Sequence, residues 1–368
     1  MSALARKFDA INLGQGFPDE DGPAALLEIV ANETLNGPNQ YVQVEGIPEL
    51  RRAIADDNGR FYGLNIDPEQ ETLVTGGATV ALAAAFMGYL QPGDEAVVLA
   101  PFYECYAPQI EATGAQAKFV TLPAPDWRLK ADALAAAITD KTKLLVINTP
   151  HNPLGKVMSR AELEIVAAAA IRHDLIVICD EVYEHLIFDG ARHIPLMTLP
   201  GMFERTIRIG SAGKTFSMTG FRIGYVTGPA HLITGLLKAH QHMTYTCPAP
   251  IQKAVAAGFR LGDEYYTVFR SEMQNKRDIM RAGLIAAGFD VLPCEGTYFI
   301  TVDIHSVGRD DDMAFCREIV EKAKVAAVPL SAFSHSSIRD FPTNYVRFCF
   351  CKKADILREA SARLAAHF

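Results

Sequence analysis

The sequence contains no run of about 20 apolar residues, the length that a membrane-spanning helix needs. Its start, MSALARKFDAINLGQGFPDE, carries charges throughout and has no apolar core, which argues against a secretory signal. Basic residues are in deficit, with 35 Lys and Arg against 43 Asp and Glu, so a basic face for nucleic acid is not expected. These absences predict a cytoplasmic protein that binds neither membranes nor nucleic acid.

The cysteines and histidines also lack the spacing of a known framework. Seven cysteines stand at irregular intervals, and an odd number gives no disulfide pattern. The nearest pair, Cys349 and Cys351, lies in a segment that is typical of a strand and not of a zinc site. The ten histidines are scattered, which argues against a metal hydrolase. We therefore expect reduced cysteines and no metal.

Short apolar runs alternate with alanine-rich helical stretches through most of the chain. The runs are EAVVLA, KLLVIN, LIVICD, TIRIG and RIGYVTG, at 95–100, 143–148, 175–180, 206–210 and 222–228. Their apolar residues are mostly consecutive, as in strands buried on both faces. Helices are predicted at 78–90 and 159–174, and the second begins with a capping box formed by Ser159 and Glu162. This alternation predicts an α/β domain with a mostly parallel sheet.

The pattern changes after about residue 250. One long helical stretch is predicted over 250–287, followed by VLPCEGTYFITVDI, a helix, the strand YVRFCFC and a final helix. This order is typical of a small α+β domain. We expect an N-terminal segment at 1–40 that packs with the small domain, a large α/β domain at 41–250, and the small domain at 251–368.

Polar residues follow the predicted strands where the strand pattern does not require them. In chain order they include Asn152, Asp180, Tyr183, Ser211, Lys214 and Arg222. Each alone has an ordinary explanation, such as a helix cap or a solvated charge. The Gly-Gly turn before residue 78 has neither the P-loop nor the dinucleotide-binding spacing. Because ligands of open α/β sheets bind beyond the carboxyl ends of the strands, the set as a whole predicts a site there.

Three segments together resemble the class I/II aminotransferases, which bind pyridoxal 5'-phosphate (PLP) and have fold type I. They are NTPHNPLGKV, CDEVYEHLIFDG and GSAGKTFSMTGFRIGY, at 148–157, 179–190 and 210–225. The resemblance extends from NLGQGFPDE to YVRFCF and is greatest to the kynurenine, glutamine and methionine aminotransferases. It implies ping-pong transfer of an amino group to a 2-oxo acid. The implied donors are bulky neutral, sulfur-containing or aromatic amino acids: methionine, glutamine, kynurenine and phenylalanine.

The resemblance also implies roles around the cofactor ring. Lys214 matches the lysine that binds the PLP aldehyde and afterwards moves a proton at the substrate α-carbon. Asp180 matches the carboxylate that faces the pyridine nitrogen and favours its protonated form. Tyr183 and Asn152 match the residues that hydrogen-bond the ring 3-oxygen, and Tyr103 matches the aromatic residue that stacks on the ring.

For the phosphate, the resemblance implies backbone donors at Ala78 and Thr79, the Ser211 hydroxyl and the Arg222 guanidinium. Tyr41 matches a tyrosine that reaches from one subunit to the phosphate of the other, which implies a homodimer with shared active sites. For the substrate carboxylate, the implied residues are Arg347, Gly16 and Asn152. Weaker candidates for the side-chain pocket are His242, Tyr245 and Phe333.

Two alternatives stay open at this point. A PLP-dependent β-lyase that cleaves cysteine conjugates would use the same lysine and differ only in expelling a leaving group from Cβ. A PLP-binding sensor for a DNA-binding partner is disfavoured, because the sequence begins almost at the aminotransferase-like start. Relatives commonly carry a further N-terminal segment that helps to close the substrate pocket, and we expect it to be absent here.

Overall fold

The computed structural model describes residues 1–368. Its helices are α1 Ser2–Phe8, α2 Ala24–Asn36, α3 Pro48–Tyr62, α4 Ala78–Tyr89, α5 Tyr106–Glu111, α6 Ala131–Ala137, α7 Arg160–Arg172, α8 Ala212–Thr215, α9 Ala230–Gln241, α10 Ala249–Phe259, α11 Asp263–Ala286, α12 Asp312–Glu321 and α13 Ala354–Ala365. Its strands are β1 Ile11–Asn12, β2 Thr72–Thr75, β3 Glu95–Ala100, β4 Gln116–Thr121, β5 Thr142–Asn148, β6 Ile176–Asp180, β7 Thr206–Ser211, β8 Gly224–Thr227, β9 Asp290–Val291, β10 Phe299–Asp303, β11 Val325–Ala326, β12 Val328–Pro329 and β13 Tyr345–Cys349. No helix is long and apolar enough to cross a membrane.

Seven strands form the large sheet in the order β2-β8-β7-β6-β5-β3-β4. The neighbours from β7 to β4 pair in parallel, and only β8 runs against the others. Alternate residues of β3 enter two different apolar clusters, Val98 on one face and Val97 on the other. The sheet is therefore buried on both faces, which explains why its strands are apolar at consecutive positions.

The predicted strands and the capping box are confirmed, with several strand ends shortened by one or two residues. The Ser159 side chain accepts from the Glu162 amide, and Glu162 accepts from the Ser159 amide. Strand β8, however, begins only at Gly224, whereas the sequence predicted a strand from residue 222. Arg222 has a φ of 54°, and this left-handed conformation cannot belong to a strand.

The single helix predicted over 250–287 is wrong, because the chain forms α10 and α11 with a break at 260–262. Gly262 is extended and caps α11, whose first turn carries Asp263 and Glu264, as suits a helix N-terminus. Helix α10 packs on α2 and α3, whereas α11 packs on α13.

The smaller sheet has the antiparallel order β12-β13-β10-β9, and β1 pairs separately with β11. The domain boundaries stay a prediction.

A buried arginine joins the large sheet to α3. The Arg208 side chain donates to the Glu181 carboxylate at 2.6 Å, to the Asn58 side chain at 2.8 Å, and also to Glu184. All four residues are buried. Glu181 therefore points away from its neighbour Asp180, as the alternation of a strand predicts. Both core carboxylates form ion pairs with the same guanidinium, so the arrangement depends on Arg208.

Replacing Arg208 by methionine is expected to destabilise the fold by about 3–5 kcal/mol, because it leaves two buried carboxylates without their cation. The matched control is Arg358→Met, which removes an exposed ion pair with Asp355 and is expected to cost less than about 1 kcal/mol. Chemical denaturation of both variants measures the difference. Equal losses of stability in the two variants would contradict this account of the buried network.

Candidate active site

A cavity lies at the carboxyl ends of the parallel strands. Nine of the residues singled out in the sequence line it: Ala78, Thr79, Tyr103, Asn152, Asp180, Tyr183, Ser211, Lys214 and Arg222. Leu82, Asn148 and Val182 complete the lining. The residues come from separate strand ends and loops that only the sheet topology brings together.

One end of this cavity is suited to an anion. Helix α4 begins there, with Ala78 and Thr79 in its first turn, where backbone N–H groups have no partner within the helix. The Arg222 guanidinium lies beside the turn, since a Cβ on Gly77 would come within 2.5 Å of its nitrogen. The Ser211 hydroxyl lines the same cavity from the end of β7. A helix terminus, a guanidinium and a hydroxyl together form a phosphate-type site.

A carboxylate occupies another part of the lining. Asp180 is the last residue of β6, is buried, and accepts a hydrogen bond from the Tyr106 hydroxyl at 2.6 Å. Burial raises the pKa of this carboxyl to about 6, although the Tyr106 hydroxyl opposes the shift. A buried carboxylate on a cavity wall favours a cationic group of a ligand, because the cation would offset the cost of its burial.

The Lys214 amine projects from the short helix α8, directly after β7. Its Nζ donates to the Tyr298 hydroxyl at 2.9 Å and lies 3.5 Å from the Gly16 carbonyl oxygen. Burial lowers the pKa of this amine. A lowered pKa increases the fraction of neutral amine, the form that can attack a carbonyl carbon or accept a proton.

A second cavity adjoins the first and shares Lys214, Tyr103, Asn152 and Tyr183 with it. Arg347 of β13 lies in its wall and is buried, with its guanidinium carbon 3.9 Å from the ring centre of Phe299 and 4.5 Å from that of Phe333. Its Nη atoms donate to Asn152 Oδ1 and to the Gly14 carbonyl, each at 2.7 Å.

Arg347 forms no ion pair, and its Nε has no hydrogen-bond partner. Its hydrogen-bond partners are therefore neutral groups, and no carboxylate of the chain lies within ion-pair distance of its guanidinium. A buried cation without a counter-ion is costly, and an anionic ligand would offset that cost. The site is thus complementary to a carboxylate.

The remaining predicted residues divide into two groups. Gly16 and Phe333 line the second cavity, as Arg347 does. Tyr41 is 81% exposed and packs edge-on against Tyr245, outside both cavities of its own chain. His242 also lies outside both cavities, beyond the end of α9.

Asn148, Tyr106 and Tyr298 hold other residues of the site in place and were not predicted. Asn148 ends the strand KLLVIN, so its position beside Asp180 could have been predicted from the sequence. It donates to the Asp180 carbonyl and accepts from the Asn152 amide, which fixes the two strand ends together. Tyr106 and Tyr298 carry no local signal, because each is identified only by its long-range partner, Asp180 or Lys214.

Comparison with known proteins gives a consistent result. Residues 9–364 match the family model described as aminotransferase class I and II. The chain belongs to the class I and II aminotransferases. It is 47% identical to the probable N-succinyldiaminopimelate aminotransferase DapC of Mycobacterium tuberculosis, over 99% of this chain and 94% of that one. A solved structure titled as N-succinyldiaminopimelate aminotransferase from the same organism has a TM-score of 0.97 at 46% identity, covering 100% of this chain and 95% of that one.

Two further relatives of this aminotransferase have different names. Identity is 40% to the methionine aminotransferase of Escherichia coli K12, over 99% of this chain and 94% of the relative. The chain is 39% identical to kynurenine–oxoglutarate transaminase 3 of Mus musculus, over 97% of this chain and 84% of the relative. The predictions of fold type I, of a transaminase and of pyridoxal phosphate are confirmed, whereas the relatives' names do not agree on one substrate.

The first cavity of this aminotransferase fits pyridoxal phosphate on the chemistry of its lining. The cofactor has a dianionic phosphate, a ring nitrogen that can carry a proton, and an aldehyde. The cavity presents an anion site with Arg222, a buried carboxylate at Asp180 and a primary amine at Lys214. Gly77 has a φ of 90°, and only a residue without Cβ allows its backbone to lie this close to the guanidinium.

Proposed function

We propose that this aminotransferase takes the amino group from an L-amino acid with a bulky neutral, sulfur-containing or aromatic side chain and passes it to a 2-oxo acid. One observation carries the proposal: Arg347, a buried cation without a counter-ion, lines the same cavity as the Lys214 amine. The α-carboxylate of an amino acid supplies the missing charge. A guanidinium fork fixes both carboxylate oxygens and so orients the Cα–H bond toward the amine.

The remainder of the second cavity supports a neutral side chain. Its apolar lining includes Phe17, Phe299, Met313, Val328, Ala332 and Phe333. Arg347 is the only arginine along it, and the Glu104 carboxylate lines it as well. A substrate with an acidic side chain would find no second arginine along this cavity and would face the like charge of Glu104. Methionine, glutamine, kynurenine and phenylalanine avoid both penalties.

Pyridoxal phosphate supplies an aldehyde that links to amines and a ring that stabilises negative charge at the substrate α-carbon. In our proposal Asp180 keeps the ring nitrogen protonated, because a buried carboxylate favours an adjacent positive charge. Asn152 and Tyr183 would hold the ring 3-oxygen, and Tyr103 would cover the ring face. The Lys214 amine would accept the proton from the substrate α-carbon and later donate it again, which is general acid–base catalysis.

We place the phosphate at the start of α4, held by Ala78, Thr79, Ser211 and Arg222. Tyr41 reaches the corresponding phosphate of a second copy of the chain, which would explain why this aromatic side chain is 81% exposed on its own subunit. The enzyme is then a homodimer with shared active sites. Sedimentation of the PLP-loaded enzyme as a stable monomer would contradict this part of the proposal.

A half-reaction screen of the PLP-loaded enzyme tests the substrate class. Each donor is mixed with the enzyme alone, and the absorption change of the bound cofactor gives its kcat/KM. We expect methionine, glutamine, kynurenine or phenylalanine to exceed aspartate by at least about tenfold. Adding a 2-oxo acid afterwards should reverse the change, and initial rates should show the parallel lines of a ping-pong mechanism. A preference for aspartate would contradict the proposed class.

A second candidate substrate belongs in the same screen. The 47% identity to a probable N-succinyldiaminopimelate aminotransferase favours that substrate, whose long side chain ends in carboxylates. Against it stands the lack of a second arginine along the side-chain cavity, which also carries the Glu104 carboxylate. N-succinyldiaminopimelate outperforming every neutral donor would establish the second candidate. The similar proteins are named as aminotransferases, so their names give no support to the β-lyase alternative.

Replacing Arg347 by methionine is expected to raise KM for the amino acid by roughly a hundredfold, since each charge-assisted hydrogen bond is worth about 1.5–3 kcal/mol. PLP should stay bound, because Arg347 lies outside the first cavity. Arg347→Lys tests the fork, as lysine keeps the charge but cannot bind both oxygens in one plane. Steady-state kinetics and the cofactor absorption measure the two effects, and an unchanged KM in Arg347→Met would refute the role of this residue.

A further inference from the structure

Tyr298 contacts the Lys214 amine, and the proposed function gives this contact no role. It immediately precedes β10 in the small antiparallel sheet, and its ring is buried. Its hydroxyl accepts from Lys214 Nζ at 2.9 Å and donates to the Gly16 carbonyl oxygen at 2.8 Å. The three groups come from three distant parts of the sequence, and Gly16 and Lys214 both line the second cavity.

The position of the Tyr298 ring is closely defined by packing. It lies edge-on to Tyr183 at a centroid distance of 5.1 Å and to Phe299 at 5.0 Å. On the other side, a Cβ added to Gly16 would come within 3.1 Å of the Tyr298 ring and 2.6 Å of the Phe299 ring. The hydroxyl therefore has little freedom to leave the Gly16 carbonyl or the Lys214 amine.

The direction of these hydrogen bonds matters for the chemistry. A tyrosine hydroxyl has one hydrogen, and here that hydrogen is used on the Gly16 carbonyl. Tyr298 can therefore only accept from the lysine. A neutral Lys214 amine donates an N–H to the hydroxyl oxygen and keeps its own lone pair free for the cavity.

We propose that Tyr298 is a positioning residue, which holds the released Lys214 amine with its lone pair directed toward the substrate α-carbon. The inference rests on the proposed function, since it concerns the period in which Lys214 is not bound to the cofactor. Tyr298 itself exchanges no proton with the substrate. Its hydroxyl fixes the amine that does so, and the Gly16 carbonyl fixes the hydroxyl in turn.

The same contact affects the charge of the amine. Burial lowers the pKa of Lys214, while the hydrogen bonds to the Tyr298 hydroxyl and the Gly16 carbonyl stabilise its protonated form. The other titratable and charged groups around this amine are Asp180, Tyr183, Arg222, Cys349 and Cys351. Removing the Tyr298 hydroxyl alone leaves all of them in place and should lower the pKa of Lys214 further.

The first test uses Tyr298→Phe, which keeps the ring and removes the hydroxyl. Apoprotein is mixed with PLP over a range of pH, and the rate at which the cofactor absorption appears is recorded without any amino acid. Uptake needs the neutral amine, so its rate rises with pH through the pKa of Lys214. We expect the profile of the variant to move by about one unit to lower pH. A profile that coincides with wild type overturns the proposal.

The second test measures the half-reaction of the PLP-loaded variant with a donor carrying hydrogen or deuterium at Cα. We expect the rate at saturation to fall about tenfold, KM to stay unchanged, and the isotope effect to increase, because proton transfer becomes slower relative to the other steps. A fall in rate with an unchanged isotope effect would show a merely structural role and overturn the proposal.

The matched control is Tyr266→Phe, which removes another buried hydroxyl, bonded to Asp57 at 3.2 Å and outside both cavities. It should match wild type in both measurements. The first test needs no substrate, so it gives its result even if the proposed donors are inactive. A shifted uptake profile with no amino transfer from any donor would disprove the proposed function but leave the Tyr298–Lys214 contact established.

Discussion

Replacing Lys214 by alanine is expected to lower the rate of amino transfer by at least about 10⁴-fold, the largest effect that we predict for any substitution in this enzyme. The amine is the only lysine nitrogen in the lining of the cofactor cavity, and no other residue there offers a primary amine. Its loss removes both the group that binds the PLP aldehyde and the base that moves the α-proton. The half-reaction with methionine or phenylalanine measures the effect.

The Lys214→Ala protein should still fold and still bind PLP, because the phosphate site and Asp180 are unchanged. The bound cofactor should, however, be removable by gel filtration under denaturing conditions. Lys238→Ala, on the exposed side of α9, is the control and should behave as wild type. Transamination by Lys214→Ala at a rate near that of wild type would disprove the role of this amine.

Asp180→Asn is expected to slow the half-reaction by roughly 10³-fold, the second largest effect, because an amide cannot keep the ring nitrogen protonated. Asparagine retains the shape of aspartate and can still accept from the Tyr106 hydroxyl, so folding should be preserved. Single-turnover kinetics with the deuterated donor would show that the lost step is proton removal. Rates close to wild type would contradict the assignment of Asp180 to the ring nitrogen.

The same substitution should stabilise the apoprotein. Burial raises the pKa of Asp180 to about 6, so between pH 4 and pH 6 the folded state binds more protons than the unfolded state. Stability contributed by this group therefore falls as pH rises through that window. At pH 8 the charged carboxylate costs about 3 kcal/mol, from a shift of about two pKa units, and Asp180→Asn should recover much of this amount.

Denaturation of the apoproteins at pH 4 and pH 8 measures the effect, with Asp140→Asn as an exposed control. The Asp180→Asn apoprotein should be more stable than wild type at pH 8 and equally stable at pH 4. A residue that destabilises the empty fold while it serves the reaction is expected at an active site. An equal gain at both pH values would show that burial of the charge is not its cause.

The strands of the large sheet could be predicted from the sequence because the sheet is covered on both faces. This arrangement requires mostly consecutive apolar residues, so that, Arg208 apart, polar side chains such as Asp180 and Ser211 lie at the ends of β6 and β7. Parallel strands place their carboxyl ends at one edge, so the gathering of Asp180 and Lys214 in one cavity follows from the topology.

The contacts of Arg208, Tyr106 and Tyr298 could not be predicted in the same way. Each forms its functional hydrogen bond with a residue far away in the sequence, 84 residues in the case of Tyr298 and Lys214. No local periodicity encodes such a pair. The break at Gly262 was missed for a different reason, since both flanking segments are strong helix formers and the glycine alone decides where one helix ends.

The most direct test of the account is to map the covalent link between the enzyme and its cofactor. The PLP-loaded protein is reduced with borohydride, digested, and analysed by mass spectrometry, with Lys214→Ala treated in parallel. We predict that the wild-type peptide containing Lys214 carries the reduced cofactor and that the variant carries none. A cofactor attached to a different lysine, or none attached in the wild type, would contradict the assignment of this cavity as the active site.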